Sequence, residues 1–280
     1  LMNPYNTMHT KMTKGIIFKI ILFLSSYPML SQEHSTTTFK NSTNQLKVLS
    51  YNIHHANPPM HKDSIDLSAI IQVIKDSDAD LVALQEIDSD TERSGSGNQA
   101  QKIGDALGMQ VFFGKSIDFQ NGAYGVAILS RFPIIASKVY KLPSKPETHG
   151  EPRVLAMSSI QLPDAQTIWF VSTHLDSQKE DTNRILQIEE LLNITKNINL
   201  PVLVAGDFNA VDNNPVIESL DSIFTRTCTS CPPTIPVQNP NKAIDFIAYK
   251  PESFFKVKNH VVIDEKYASD HLPVLATFQW

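Results

Sequence analysis

Only two cysteines, Cys228 and Cys231, occur in this 280-residue chain. A four-ligand structural zinc site usually draws on two such pairs, so the sequence does not support one. The C-x-x-C spacing also suits a thioredoxin-like redox motif, but that needs a helix after it, and Pro232-Pro233 stands there instead. For an exported chain a local disulfide is the remaining reading, with two free thiols as its alternative. Basic runs are missing as well. A protein that lives on non-specific nucleic-acid binding carries a basic face, whereas here 24 Lys and Arg stand against 29 Asp and Glu, a net charge of −5. That weakens the case for polymeric DNA without excluding a small basic groove. No apolar run reaches the roughly 20 residues that a membrane-spanning helix needs. Internal repeats and low-complexity tracts are absent, which argues against a solenoid.

The N-terminus has the composition of an export signal. Met12-Thr13-Lys14 and Lys19 give a positive start. An apolar stretch from Ile20 reaches Leu30, broken only at Ser25, Ser26, Tyr27 and Pro28, and Ser31 is small enough to precede a cut before Gln32. Residues 1–31 are therefore expected to be a signal peptide, with Met12 as a candidate true start. An N-terminal anchor or a plain tail is the alternative. Cleavage would remove Lys11, Lys14 and Lys19 and no acid, leaving 21 basic against 29 acidic residues, a balance of −8. The expected location is outside the cytoplasm, periplasmic or extracellular.

Residues 32–45 read as a polar linker and 46–280 as one domain, a length at which a single core still grows. Apolar runs at 46–51, 81–84 and 202–205 read as buried strands. Asp66 is placed to cap a helix whose apolar face is Leu67, Ile70, Ile71 and Ile74. Residues 98–107 read as a helix stopped by Gly108, and 181–197 as the longest helix, with Ile185, Ile188, Leu191, Leu192 and Thr195 on one face. Residues 111–113 read as a short strand. Near eleven strands and about four helices predict an α/β fold of two packed sheets with helices outside.

Polar residues gather at the ends of these strands: Asn52, Glu86, His174, Asp207 with Asn209, Asp245, and Asp270 with His271. Strand ends are where a rigid sheet can aim side chains into one cleft. Acids, imidazoles and amides aimed at one place make the composition of a phosphate-hydrolysing metal site. Oxygen ligands hold Mg²⁺, which keeps several waters and takes one or two carboxylates. A base activates water, and donors meet the charge that develops on phosphorus. Each residue alone has a plainer reading: a turn residue for Asn52 or Asp207, a surface acid for Glu86, a structural imidazole for His271. Asp245 is harder to dismiss, because it sits in an apolar strand and a buried carboxylate needs partners.

Seven runs stand in order: Ser50-Tyr51-Asn52-Ile53, Ala83-Leu84-Gln85-Glu86, Ile128-Leu129-Ser130-Arg131-Phe132-Pro133, Ser172-Thr173-His174-Leu175, Gly206-Asp207-Phe208-Asn209, Ile244-Asp245-Phe246-Ile247 and Ser269-Asp270-His271-Leu272-Pro273. Together they resemble the endonuclease/exonuclease/phosphatase superfamily, the fold of pancreatic DNase I, across residues 46–280. The resemblance implies a DNase I-like four-layer α/β sandwich, two packed mixed β-sheets flanked by helices. It also implies roles. Glu86 holds the metal, helped by Asn52, with Asp270 a carboxylate near it. Asp207 orients or deprotonates the attacking water, Asn209 and His174 hold phosphate oxygens, and Asp245 and His271 pair. The implied cofactor is Mg²⁺, with Mn²⁺ able to substitute.

Substrate residues are less defined. His54 and His55 either line the cleft or face solvent in a loop. Arg93 and Arg153 either bind substrate phosphate or are ordinary charges, and Tyr124 lies where relatives often continue Gly-Asn-Ala but this chain has Gly125-Val126-Ala127. The expected activity is that of a Mg²⁺-dependent phosphoesterase acting on a phosphodiester: a small one, a lipid head group or nucleic acid. A secreted DNA or RNA endonuclease is the first alternative. A catalytically inactive binding module is the second. No protein partner is evident and a monomer is expected.

Overall fold

The computed structural model describes residues 44–61 and 64–280. The expected signal peptide and most of the linker lie outside the described residues. Twelve strands form two six-stranded mixed sheets among the described residues. The first runs β11 (Lys256–Val262), β12 (Val274–Gln279), β1 (Gln45–Asn52), β2 (Leu81–Ser89), β4 (Gly122–Ser130) and β3 (Gln110–Phe119). The second runs β5 (Ile134–Lys141), β6 (Val154–Gln161), β7 (Thr167–His174), β8 (Val202–Asp207), β10 (Asp245–Lys250) and β9 (Thr225–Arg226). Only β1–β2 and β7–β8 pair in parallel.

The unbroken apolar runs follow from what covers the sheets. Leu46 and Val48 of β1 point into a core shared with Phe170, Leu203, Ala205 and Ile247 of the other sheet. Their neighbours Leu49 and Tyr51 point the opposite way, against Ile70, Val73 and Ile74 of α1 (Leu67–Ser77) and Ala100 and Ile103 of α2 (Gln99–Leu107). On the second sheet, Val202 and Val204 meet Ile188 and Leu191 of α3 (Thr182–Thr195) and Val216 and Ile217 of α4 (Pro215–Asp221). A strand covered on both faces has no polar side to alternate with. The layers are helix, sheet, sheet, helix, as expected. Each large apolar side chain buried this way contributes about 1.5–3 kcal/mol.

The helix boundaries follow from their caps. Asp66 accepts from the Ala69 N–H at 3.0 Å, and Asn98 accepts from the Gln101 N–H at 3.1 Å. Gly108 closes α2 in the left-handed region, where glycine carries no Cβ penalty. Three expectations need correction. β3 extends to Phe119, because Ile117 to Phe119 pair with β4 beyond a bulge after Lys115; its half-exposed polar residues hid it. On α1 the buried positions are Ile70, Val73, Ile74 and Ser77, with Leu67 and Ile71 only half-buried. On α3, Ile185 is 36% exposed at the edge of the buried stripe, while Arg184, Gln187 and Ile188 are buried.

This last difference is testable by urea unfolding. Ile188→Ala should cost about 2–5 kcal/mol, as for a buried large-to-small change, while Ile185→Ala should stay within about 0.5 kcal/mol. Equal costs would mean that α3 is rotated on its sheet.

Candidate active site

The strand registers assemble the polar residues. Asn52 stands opposite Gln85 in the parallel β1–β2 pair, and His174 stands opposite Asp207 in the parallel β7–β8 pair. Asp207 also faces Asp245 across β8–β10. Ser50 pairs with Val274 at the start of β12, so the turn carrying Asp270 and His271 comes to the same edge. Ser269 ties that turn down, its hydroxyl donating to the Asn52 carbonyl at 2.7 Å. Gly206 has no freedom to be anything else: a Cβ there would lie 2.2 Å from the Thr173 carbonyl oxygen.

Glu86 reaches the edge by a different device. Two residues of β2, Gln85 and Glu86, oppose the single residue Val126 of β4, a β-bulge. Glu86 sits there at φ 59°, in the left-handed region, at a cost of about 1–2 kcal/mol for a non-glycine residue. Strained positions of this kind cluster at functional sites.

Asp207 is the hub. It is buried, and its Oδ1 accepts from the Asn209 N–H at 2.9 Å. Its Oδ2 accepts from Asn52 Nδ2 at 3.1 Å and lies 3.4 Å from His174 Nε2 and 3.7 Å from His271 Nε2. His271 Nδ1 meets Asp245 Oδ2 at 2.9 Å, and the Thr234 hydroxyl donates to the same oxygen at 2.5 Å. Burial, reinforced by the Asp245 charge, pushes Asp207 up to about 7. Burial opposes charge on His271, but the Asp245 and Asp207 carboxylates override it and push the imidazole up to about 10. A carboxylate poised near neutrality beside an imidazole held protonated is an acid–base pair. Asp207, Asp245 and His271 also lie close enough to cage an ion by distance alone; His271 bridges the two carboxylates, and Asp245 Oδ1 has no hydrogen-bond partner among the described residues.

His174 is set by a residue behind it. Arg153 is buried, and its Nη1 lies 3.1 Å from His174 Nδ1. Arginine only donates, so Nδ1 must be the bare nitrogen and Nε2 must carry the proton. Burial, with the Arg153 charge added, holds His174 well below its ordinary range, so the ring stays neutral. Arg153 also pairs with Glu151 at 2.9 Å. Its guanidinium is thus engaged by His174 and Glu151.

Asn52 is engaged through both ends of its amide. Its oxygen already accepts from the His54 N–H at 3.1 Å, and its Nδ2 donates to Glu86 Oε1 at 3.1 Å as well as to Asp207. Its two Nδ2 hydrogens tie the carboxylates together, and its oxygen keeps a second lone pair. Asn209 Nδ2 donates to the Leu175 carbonyl at 3.0 Å. Asp270 is half-buried next to His271 and joins no three-donor cluster among the described residues.

A pocket of about 240 Å³ opens beside Glu86, lined by Arg93, Ile117, Phe119, Tyr124 and Glu151. It is open to solvent on one side and leaves room beside Glu86 for waters or a small group. Arg93 grips the buried Asp88 with Nε at 2.7 Å and Nη2 at 2.9 Å, and lies 4.6 Å over the Phe119 ring. Burial pushes the Tyr124 phenol up, so it remains a donor. His54 Nδ1 lies 3.0 Å from the Asn57 carbonyl, and His55 Nδ1 lies 3.8 Å from Glu86 Oε2. Thr234 and Asp88 were not singled out by sequence; a hydroxyl between Pro233 and Ile235 carries no periodic signal.

The residues fit a divalent cation at Glu86. Burial alone would push this carboxyl up, but His55 and Asn52 override it and hold it far below its ordinary value, so it is ionised. One ionised carboxylate with room for waters beside it is how Mg²⁺ is usually held.

Arg153→Met should release the His174 tautomer. Nitrogen chemical shifts of the wild type should show the Nε2–H form, and the variant a mixture with lower turnover. A wild type protonated at Nδ1 would refute the arrangement.

The sequence matches the model described as Endonuclease/Exonuclease/phosphatase family over residues 49–271. It is 28% identical over 245 residues to the uncharacterized protein YbhP of Escherichia coli (strain K12), covering 82% of this chain and 94% of that protein. Among solved structures, an endonuclease/exonuclease/phosphatase from Beutenbergia cavernae DSM 12333 superposes with a TM-score of 0.74 at 21% identity, covering 84% of this chain and 72% of the other. The mannosyl-6-phosphatase Bt3783 of Bacteroides thetaiotaomicron VPI-5482 superposes with a TM-score of 0.67 at 20% identity, covering 84% of this chain and all of the other, 100%. At such identities the structures establish a shared fold.

Proposed function

The chain belongs to the endonuclease/exonuclease/phosphatase family, and from that premise we propose that it is a Mg²⁺-dependent phosphodiesterase acting on a small substrate. Members of this family are phosphoesterase hydrolases. The observation that carries the reading is the coupled set Asp207, His271 and Asp245, buried at one sheet edge with Glu86 ionised beside it. Asp207 takes the proton of the attacking water. His271, held charged by Asp245, donates to a phosphoryl oxygen or the leaving group. The His174 Nε2–H and the Asn209 amide supply further donors. Mg²⁺ at Glu86, for which Mn²⁺ can substitute, would polarise the phosphoryl group and offset its charge.

Two features favour a small diester. The pocket beside Glu86 is about 240 Å³. The site is also rich in carboxylates, and its arginines are already paired, Arg93 with Asp88 and Arg153 with Glu151. A monoester carries close to two negative charges near neutrality, as phosphoserine does with its second pKa near 6, and is repelled more than a singly charged diester. Export from the cytoplasm is part of the proposal. Residues 12–31 have the composition of a signal, and Cys228 and Cys231 are joined as a disulfide, which suits an oxidising compartment.

Purified protein should hydrolyse bis-p-nitrophenyl phosphate with Mg²⁺ and lose that activity in EDTA. A panel of small diesters, monoesters, sphingomyelin, plasmid DNA and RNA should favour the small diesters; cleavage of DNA above all else would make it a nuclease. Asp207→Asn should lower kcat by about 10²–10⁴-fold.

The pH profile has a fixed sign. The base works only when ionised, so kcat/KM should rise through about 7 with Asp207. The acid works only when protonated, so kcat/KM should fall through about 10 with His271. A profile flat across neutrality would remove Asp207 as the base.

A further inference from the structure

Two histidines follow Asn52 on a backbone that L-residues avoid. His54, His55 and Ala56 have φ of 47°, 44° and 61°, a left-handed turn without a glycine. Each such residue costs about 1–2 kcal/mol. The turn brings the two imidazoles together, centroids 4.5 Å apart, next to the carboxylate of Glu86.

The protons can be placed. His54 Nδ1 lies 3.0 Å from the Asn57 carbonyl oxygen. A carbonyl only accepts, so Nδ1 holds the hydrogen and Nε2 keeps a bare lone pair. A ring nitrogen anchored to a carbonyl in this way is the usual support behind a metal-bound histidine. His55 Nδ1 is closed off from solvent, yet has no hydrogen-bond partner among the described residues. It faces Glu86 Oε2 at 3.8 Å. Glu86 turns its other oxygen, Oε1, to Asn52. Buried polar atoms are seldom left without a partner, and an unseen ion is one standard reason. One donor atom from each of His54, His55 and Glu86 lies within 4.8 Å of the others. Metal–ligand bonds of about 2.0–2.2 Å span such a set after small side-chain rotations.

We propose that His54, His55 and Glu86 Oε2 form a second cation site, selective for a nitrogen-preferring first-row divalent ion such as Zn²⁺. Mg²⁺ takes oxygen ligands and is poorly served by two imidazoles, whereas two histidines and one carboxylate, with further positions open, suit Zn²⁺. Glu86 is then the carboxylate common to both positions, one oxygen toward each. The left-handed turn is explained as the backbone that holds two adjacent imidazoles on the same side. This inference rests on the proposed phosphoesterase reading only through the Mg²⁺ position at Glu86.

The test is Zn²⁺ titration of the metal-stripped full chain by calorimetry, without substrate. The wild type should bind one Zn²⁺ at least about 100-fold more tightly than Mg²⁺, and the double variant His54→Ala/His55→Ala should lose about 100-fold or more in Zn²⁺ affinity, at the upper end of what weaker outer-shell changes cost. An unchanged Zn²⁺ affinity in that variant, or a wild type that prefers Mg²⁺, would overturn the site. A second measurement holds even if the variant fails to fold. Paramagnetic Co²⁺ bound to the wild type should shift the ring protons of His54 and His55; shifts confined to other histidines, such as His61, His149 or His260, would overturn it as well. A chain that binds Zn²⁺ here and hydrolyses no phosphoester would sink the catalytic reading alone. A chain that hydrolyses with Mg²⁺ and binds no Zn²⁺ would sink this site alone.

Discussion

A carboxylate at the bottom of a double sheet must be given partners, and Asp207 is that carboxylate. Leaving such a charge buried and alone would cost far more than any one contact returns. The molecule supplies Asn52, Asn209, His174 and His271 around it. These come from β1, the turn after β8, β7 and the turn before β12, so one buried group requires both sheets to be in register. Gly206 permits the close approach of β7 and β8, and Ser269 fastens the last turn to β1. The same environment that makes Asp207 expensive also brings it near neutrality.

Much of this was legible in the sequence. Apolar runs with no polar side implied strands covered twice, and the helix–sheet–sheet–helix layering follows from that. Asn52, Glu86, His174, Asp207, Asp245 and His271 were visible because each closes or opens an apolar run. What stayed hidden was whatever depends on a partner distant in sequence. Arg153 reads as a free cation until the pairing of β6 with β7 brings His174 against its guanidinium. Thr234 lies in a proline-rich loop with no period, and only the fold brings its hydroxyl to Asp245. Ile185 obeys the helical spacing of α3, but spacing cannot tell which edge of an apolar stripe a sheet will cover.

Several arginines of the molecule are bound in ion pairs. Arg93 belongs to Asp88, Arg153 to Glu151 and His174, and Arg226 to Asp212 and Asp221. A paired guanidinium still donates hydrogen bonds but projects little long-range field. The Cys228–Cys231 disulfide lies on the same loop as Thr234, so the support of the Asp245–His271 pair includes a covalent staple.

The bulge at Glu86 has a consequence for how this protein would drift. Gln85 and Glu86 share the space opposite Val126, and Glu86 holds a conformation that glycine would adopt without strain. Folding and chemistry thus pull on this codon in opposite directions. Selection for thermal robustness alone would favour relaxing the bulge, by glycine or by deletion, and would remove the ionised carboxylate from the cleft. A glutamate in that position costs the fold strain that a glycine would not.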